Sequence, residues 1–171
     1  QRWTELVIGW AGGYRGDLHL EWVFQFGDWL DPTAPGDDPS AGATDKHLVG
    51  NAALCRTLEV MQRTAALLDR HGDVARYAEL LDRGRRSFLR HYVTDDGAMT
   101  SNAQTAYTLA IAWNLLPDDR RASAGRRLVE LVRGAGHRIG TGFVGTPLVC
   151  DALCDTGHVD DAYDLLLQTD T

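Results

Sequence analysis

From Lys46 onward the sequence is one helical stretch after another, and the stretches come in two kinds. This alternation constrains the fold more than any other feature. The first stretch, KHLVGNAALCRTLEVMQRTAALLDRHG, repeats apolar residues at three-and-four spacing through Leu48, Ala52, Cys55, Leu58, Met61, Ala65 and Leu68, with Gly72 expected at the C′ position. The second, DVARYAELLDRGRRSFLRHY, opens on Asp73 and confines Val74, Tyr77, Leu81, Gly84 and Phe88 to a narrow stripe, so its other side faces water. NAQTAYTLAIAWNLL is apolar almost all round and calls for burial on most sides. The fourth helix starts at Pro117 and Asp118, carrying charge on one face and Leu128, Leu131 and Val132 on the other. PLVCDALCDTG is again mostly apolar, with Thr146 and Pro147 as an N-cap and N1 signal, and HVDDAYDLLLQT is short and amphipathic.

Buried and exposed members alternate, the first pair less cleanly than the others, so the expected fold is all-α. Three αα-hairpins would form about half of an (α/α)6 six-hairpin barrel. Residues 1–45 form a preceding helix, in QRWTELVIGWAGG, and a barrel-mouth loop segment; residues 46–171 form the helical-hairpin part. The rival is an α-solenoid, because GHVDDAYDLLLQ resembles one helix of a tetratricopeptide-like repeat. Such repeats recur at a fixed period of about 34 residues. The buried helices here start near Thr44, Asn102 and Thr146, at unequal intervals, which favours the toroid.

In an αα-toroid the inner helices run parallel, so the segments before them share one end of the barrel. Those segments are QFGDWLDPTAPGDDPSAGATD, AMTSNAQT and RIGTGFVGTP. The connections at the opposite end, RHGD, LLPDD and DTGH, are short and plain. Sites grow on loops carried by a rigid scaffold. A mouth supplied with Trp, Phe, Asp, Gln and Thr suits a polyhydroxylated ligand: aromatic faces cover the apolar side of a sugar ring, and carboxylates and amides bind its hydroxyls. The candidate substrate-binding residues are Trp29, Asp28, Gln104 and Phe143. Each has a plainer role open to it. Trp29 and Phe143 could plug the barrel end, Asp28 could cap a turn, and Gln104 could bond loop backbone. Asp31 before Pro32 reads as a turn former, Asp45 as an N-cap or a ligand group, and Thr141 and Thr146 mostly as backbone ties or caps.

Composition narrows the chemistry further. A net charge of −7 argues against nucleic acid, whose phosphates demand basic surface. No run approaches the roughly 20 apolar residues of a membrane span. Cys55, Cys150 and Cys154 are an odd count without a disulfide framework, and no ligand set completes a metal site around them. No metal or other cofactor is expected. HExxH, GxSxG and P-loop patterns do not occur. The sequence leaves localisation open.

The segments FQFGDWLDP, NAQTAYTLAIAWNLLP, GTGFVGTPLVCDAL and GHVDDAYDLLLQT, in this order and at these distances, resemble bacterial α-L-rhamnosidases of glycoside hydrolase family 78. The resemblance runs strongly from Phe24 to Thr171. It implies an (α/α)6 catalytic domain, inverting hydrolysis of terminal α-L-rhamnosides, and a rhamnose-containing glycoside or oligosaccharide as substrate. Trp29 matches the family's aromatic platform beside the rhamnose ring; Asp28 and Gln104 match by neighbourhood. In the family the general acid lies in an acidic, Arg-containing segment upstream of the GDW motif, and the general base is a glutamate in a Trp-Glu motif downstream of the last helix. Neither segment occurs here, so no catalytic residue is expected in this chain. It reads as an internal fragment, inactive alone and prone to associate or unfold. The alternatives are a non-catalytic helical-repeat scaffold binding a protein, and another carbohydrate-active enzyme on the same toroid.

Overall fold

The computed structural model describes residues 1–13 and 15–169. Among these the chain is all-helical: α1 Arg2–Trp10, α2 Lys46–Leu67, α3 His71–Tyr92, α4 Gln104–Ala112, α5 Asp118–Gly134, α6 Val149–Asp155 and α7 Val159–Leu166. The only bridge of extended backbone among the described residues pairs Val93 with Met99. Helices α2–α3, α4–α5 and α6–α7 pack as hairpins, while α2 touches α4 and α4 touches α6. That is the inner layer of a toroid, with α3, α5 and α7 outside it. Three hairpins of an (α/α)6 barrel are therefore present, as the burial pattern predicts.

Position in the layer decides composition. Every residue of α4 from Gln104 to Ile111 is buried, because this helix lies between both inner neighbours and its own outer partner. By contrast α3 buries Tyr77, Leu80, Leu81, Gly84, Ser87, Phe88 and Tyr92 on one face and leaves Arg86 and Arg90 to solvent. Gly84 lets α3 approach α2: a Cβ there would stand 3.0 Å from Cys55 Sγ. Ile8 and Ala11 of α1 and its exit, with Leu18 and Leu20, join the same core as the hairpins.

Two helix boundaries differ from the sequence expectation. The α2–α3 turn is made by Asp69 in the left-handed region (φ 52°), and Gly72 lies inside the first turn of α3. Asp73 accordingly does not cap α3. It is an acid in the first turn, paired with Arg70 at 2.7 Å, where a negative charge suits the helix dipole. Thr146 does not cap α6 either, because its hydroxyl is taken by Thr141, and turns continue to Leu148 before the helix begins. The N-cap expected at Asp45 is found, its side chain accepting from His47 N at 2.7 Å.

Candidate active-site mouth

The three long segments meet at one end of the inner helices, and named hydrogen bonds tie them together. Asp45 N donates to Ser101 Oγ at 3.0 Å, joining the first segment to the second. Gln104, at the start of α4, accepts from Gly140 N at 2.9 Å and donates to Arg138 O at 3.2 Å, joining the second to the third. Asp28 joins the first to the third. It is 3% exposed. Its Oδ1 accepts from Val144 N (2.8 Å) and Gly145 N (3.1 Å), while Oδ2 accepts from Gly142 N (2.6 Å) and from the Thr105 hydroxyl.

Trp29 follows directly. Asp31 N donates to Asp28 O at 3.0 Å, closing a turn over Trp29 and Leu30, and Leu30 sits at φ 62°. A left-handed leucine costs roughly 1–2 kcal/mol relative to the right-handed region. Such strain persists where surrounding contacts over-determine the backbone. Here Leu30 N also donates to Pro39 O at 3.1 Å. Asp31 forms the next turn, its Oδ1 accepting from Thr33 N at 2.8 Å and Thr33 Oγ1 at 2.6 Å. The strained turn presents Trp29 half-buried, with Phe26 edge-on at 5.6 Å between ring centroids and Phe24 edge-on to Phe26 at 4.9 Å.

The third segment packs onto that turn by its backbone. Phe143 N donates to Trp29 O at 2.9 Å. A Cβ on Gly142 would lie 2.4 Å from Asp28 O, 2.5 Å from Trp29 O and 2.7 Å from Asp31 N, so only glycine permits this approach. Thr141 and Thr146 share a 2.8 Å hydroxyl contact that closes the loop on itself. Phe143 is left 68% exposed.

The four residues picked from the sequence thus fall at one end of the fold, in two kinds of setting. The carboxylate of Asp28 and the amide of Gln104 are occupied by protein partners, whereas Trp29 and Phe143 present ring surface. Sequence reasoning passed over Thr105 as a member of this region. The close approach of the third segment did have a signal, the spacing of glycines in GTGFVG, since glycines so placed mark close backbone approach.

The class this architecture defines is the toroid of helical hairpins used by six-hairpin glycosidases. The chain belongs, more narrowly, to the bacterial alpha-L-rhamnosidase 6 hairpin glycosidase domain family, matched over residues 2–171. It is 36% identical over 143 residues to an alpha-L-rhamnosidase of Streptomyces avermitilis, covering 84% of this chain and 13% of that protein. It is 34% identical over 150 residues to one of an Alteromonas strain, covering 85% of this chain and 16% of that protein. Among solved structures, the native α-L-rhamnosidase of Aspergillus terreus superposes with a TM-score of 0.88 at 31% identity, over 99% of this chain and 20% of that one. The Streptomyces avermitilis enzyme complexed with L-rhamnose gives 0.81 at 33% identity, over 98% and 16%. The chain therefore spans less than a fifth of the curated relatives it matches.

Proposed function

We propose that this chain is part of a glycoside hydrolase that cleaves terminal α-L-rhamnosides with inversion, and that it supplies one sector of the substrate wall. The carrying observation is the mouth itself: a strained, cross-tied turn that offers Trp29 at one end of a family-typical hairpin toroid. Trp29 covers the apolar face of the sugar ring, and Phe143 borders the same opening. Asp28 and Gln104 hold the segments that carry these rings. An inverting glycosidase needs one carboxylic acid to protonate the leaving oxygen and one carboxylate to activate water, roughly 6.5–9.5 Å apart. In this reading both come from outside the chain. The buried carboxylates present at the mouth, Asp28 and Asp31, are engaged by protein donors and are not assigned either task.

The test uses the full-length protein on aryl α-L-rhamnoside beside other aryl glycosides, for wild type and Trp29→Ala. Selective rhamnoside cleavage, with kcat/KM falling at least tenfold on substitution and the fold retained, is the expected result. The anomer first released, read by proton NMR, reports inversion directly. Cleavage of another glycoside in preference to rhamnoside would refute the substrate, and full activity in Trp29→Ala would return this residue to a packing role.

A further inference from the structure

We propose that Asp28 is a positioning residue that fixes the width of the sugar-binding mouth by latching the Trp29 turn to the 139–148 loop. This inference rests on the rhamnosidase reading for its consequence in catalysis, and on geometry alone for the latch.

A carboxylate has about four lone-pair positions. At Asp28 all are taken: by Val144 N and Gly145 N on Oδ1, and by Gly142 N and the Thr105 hydroxyl on Oδ2. Three donors are consecutive or near-consecutive amides of one loop, lying 114 to 117 residues further along the chain, and the fourth sits in the first turn of α4. One buried side chain therefore joins the first hairpin's approach segment, the second inner helix and the third hairpin's approach segment. No acceptor remains for a sugar hydroxyl. Any effect on substrate must pass through what the latch holds. Those groups are the neighbouring Trp29, whose carbonyl accepts from Phe143 N, and Phe143, which lies between two of the latched amides. The left-handed Leu30 shows that the turn is not at rest by itself, and the contact of Gly142 with the carbonyls of Asp28 and Trp29 leaves the loop no slack on that side.

An asparagine at position 28 keeps the shape but replaces one oxygen with an N–H donor, facing at least one backbone N–H that cannot accept. The latch then opens on one side without a change of volume. Rings held at a fixed separation bind ground state and transition state alike, and loss of such binding raises KM more than it lowers kcat.

The experiment compares Asp28→Asn, Thr105→Val and Thr105→Ser in the full-length enzyme, by amide hydrogen exchange of the peptide spanning 140–148 and by aryl α-L-rhamnoside kinetics. The latch predicts at least tenfold faster exchange in that peptide for Asp28→Asn, with the α3 and α5 peptides unchanged. It also predicts a KM rise of tenfold or more and a smaller fall in kcat. Thr105→Val should show the same signature at lower amplitude, and Thr105→Ser, which keeps the hydroxyl, should behave as wild type. If Asp28→Asn does not fold, the Thr105 pair decides the matter. Wild-type exchange in both Asp28→Asn and Thr105→Val overturns the latch. Faster exchange with KM unmoved overturns its role at the mouth. A wild-type enzyme inert on rhamnosides defeats the proposed function and the sugar half of this inference, while the exchange result still decides the latch.

Discussion

Gly142→Ala tests how closely the two mouth segments are fitted. No left-handed backbone is recorded at this glycine, so an alanine is allowed by its backbone angles, and only space is at issue. The added methyl would meet three backbone atoms, Asp28 O, Trp29 O and Asp31 N, at 2.4, 2.5 and 2.7 Å. Ordinary contact for a Cβ begins near 3.4 Å, so the segments must part by the better part of an ångström. Backbone cannot rotate aside as the tip of a side chain can. Forced overpacking costs about 1–3 kcal/mol. The same displacement stretches the bonds from Gly142 N to Asp28 and from Phe143 N to Trp29, each worth about 1 kcal/mol net. The sum is roughly 3–5 kcal/mol, which at 1.4 kcal/mol per factor of ten is at least about a 100-fold faster opening. Amide exchange of the 140–148 peptide in the full-length protein reads this directly. Gly9→Ala is the control: Gly9 lies exposed in α1 with nothing within 4 Å of its would-be Cβ, and alanine in a helix is favoured by roughly 0.5–1 kcal/mol. Exchange within threefold of wild type in Gly142→Ala, alongside a neutral Gly9→Ala, would refute the close-approach reasoning.

Two further outcomes follow from charge and burial. Asp161, buried in the first turn of α7, accepts from Arg133 at 2.6 and 2.9 Å. The Arg133 hydrogen bond holds its carboxyl below the ordinary 3.8, against an opposing effect of burial and with help from His137. A depressed carboxylate pKa adds stability that is present above the unfolded value and is lost as pH falls through the folded one. Wild type should therefore melt above Asp161→Asn at pH 7, and the gap should close on acidification below about pH 4; a gap constant down to pH 2.5 would contradict this. Burial pushes the Cys55 thiol up to about 12, whereas Cys154 is exposed. Because the thiolate is the reactive form, maleimide at pH 8 should label Cys154 readily and Cys55 only in denaturant, which peptide mass mapping checks.

The sequence by itself determined the layers. Apolar residues all round one helix and a single stripe on the next are local facts, readable because burial on several sides removes every position at which a charge could stay solvated. That is why the inner place of α4 and the outer place of α3 are legible in the sequence, and with them the shared end of the three long approach segments. Helix boundaries were less legible: Gly72 and Thr146 carry the right chemistry for a cap, but Asp69 adopted the left-handed turn and Thr141 claimed the hydroxyl of Thr146. At the mouth, the sequence named Asp28, Trp29, Gln104 and Phe143 but could not sort them. A carboxylate or an amide looks alike in the sequence whether it faces a ligand or the backbone of a segment distant in the chain. Only tertiary structure decided that Val144, Gly145, Gly142 and Thr105 satisfy Asp28, because those donors reach it from two other hairpins. Hydrogen bonds of that separation leave no periodicity in the chain. They exist because a buried carboxylate must find donors, and the closing of the helical layers determines which donors lie within reach.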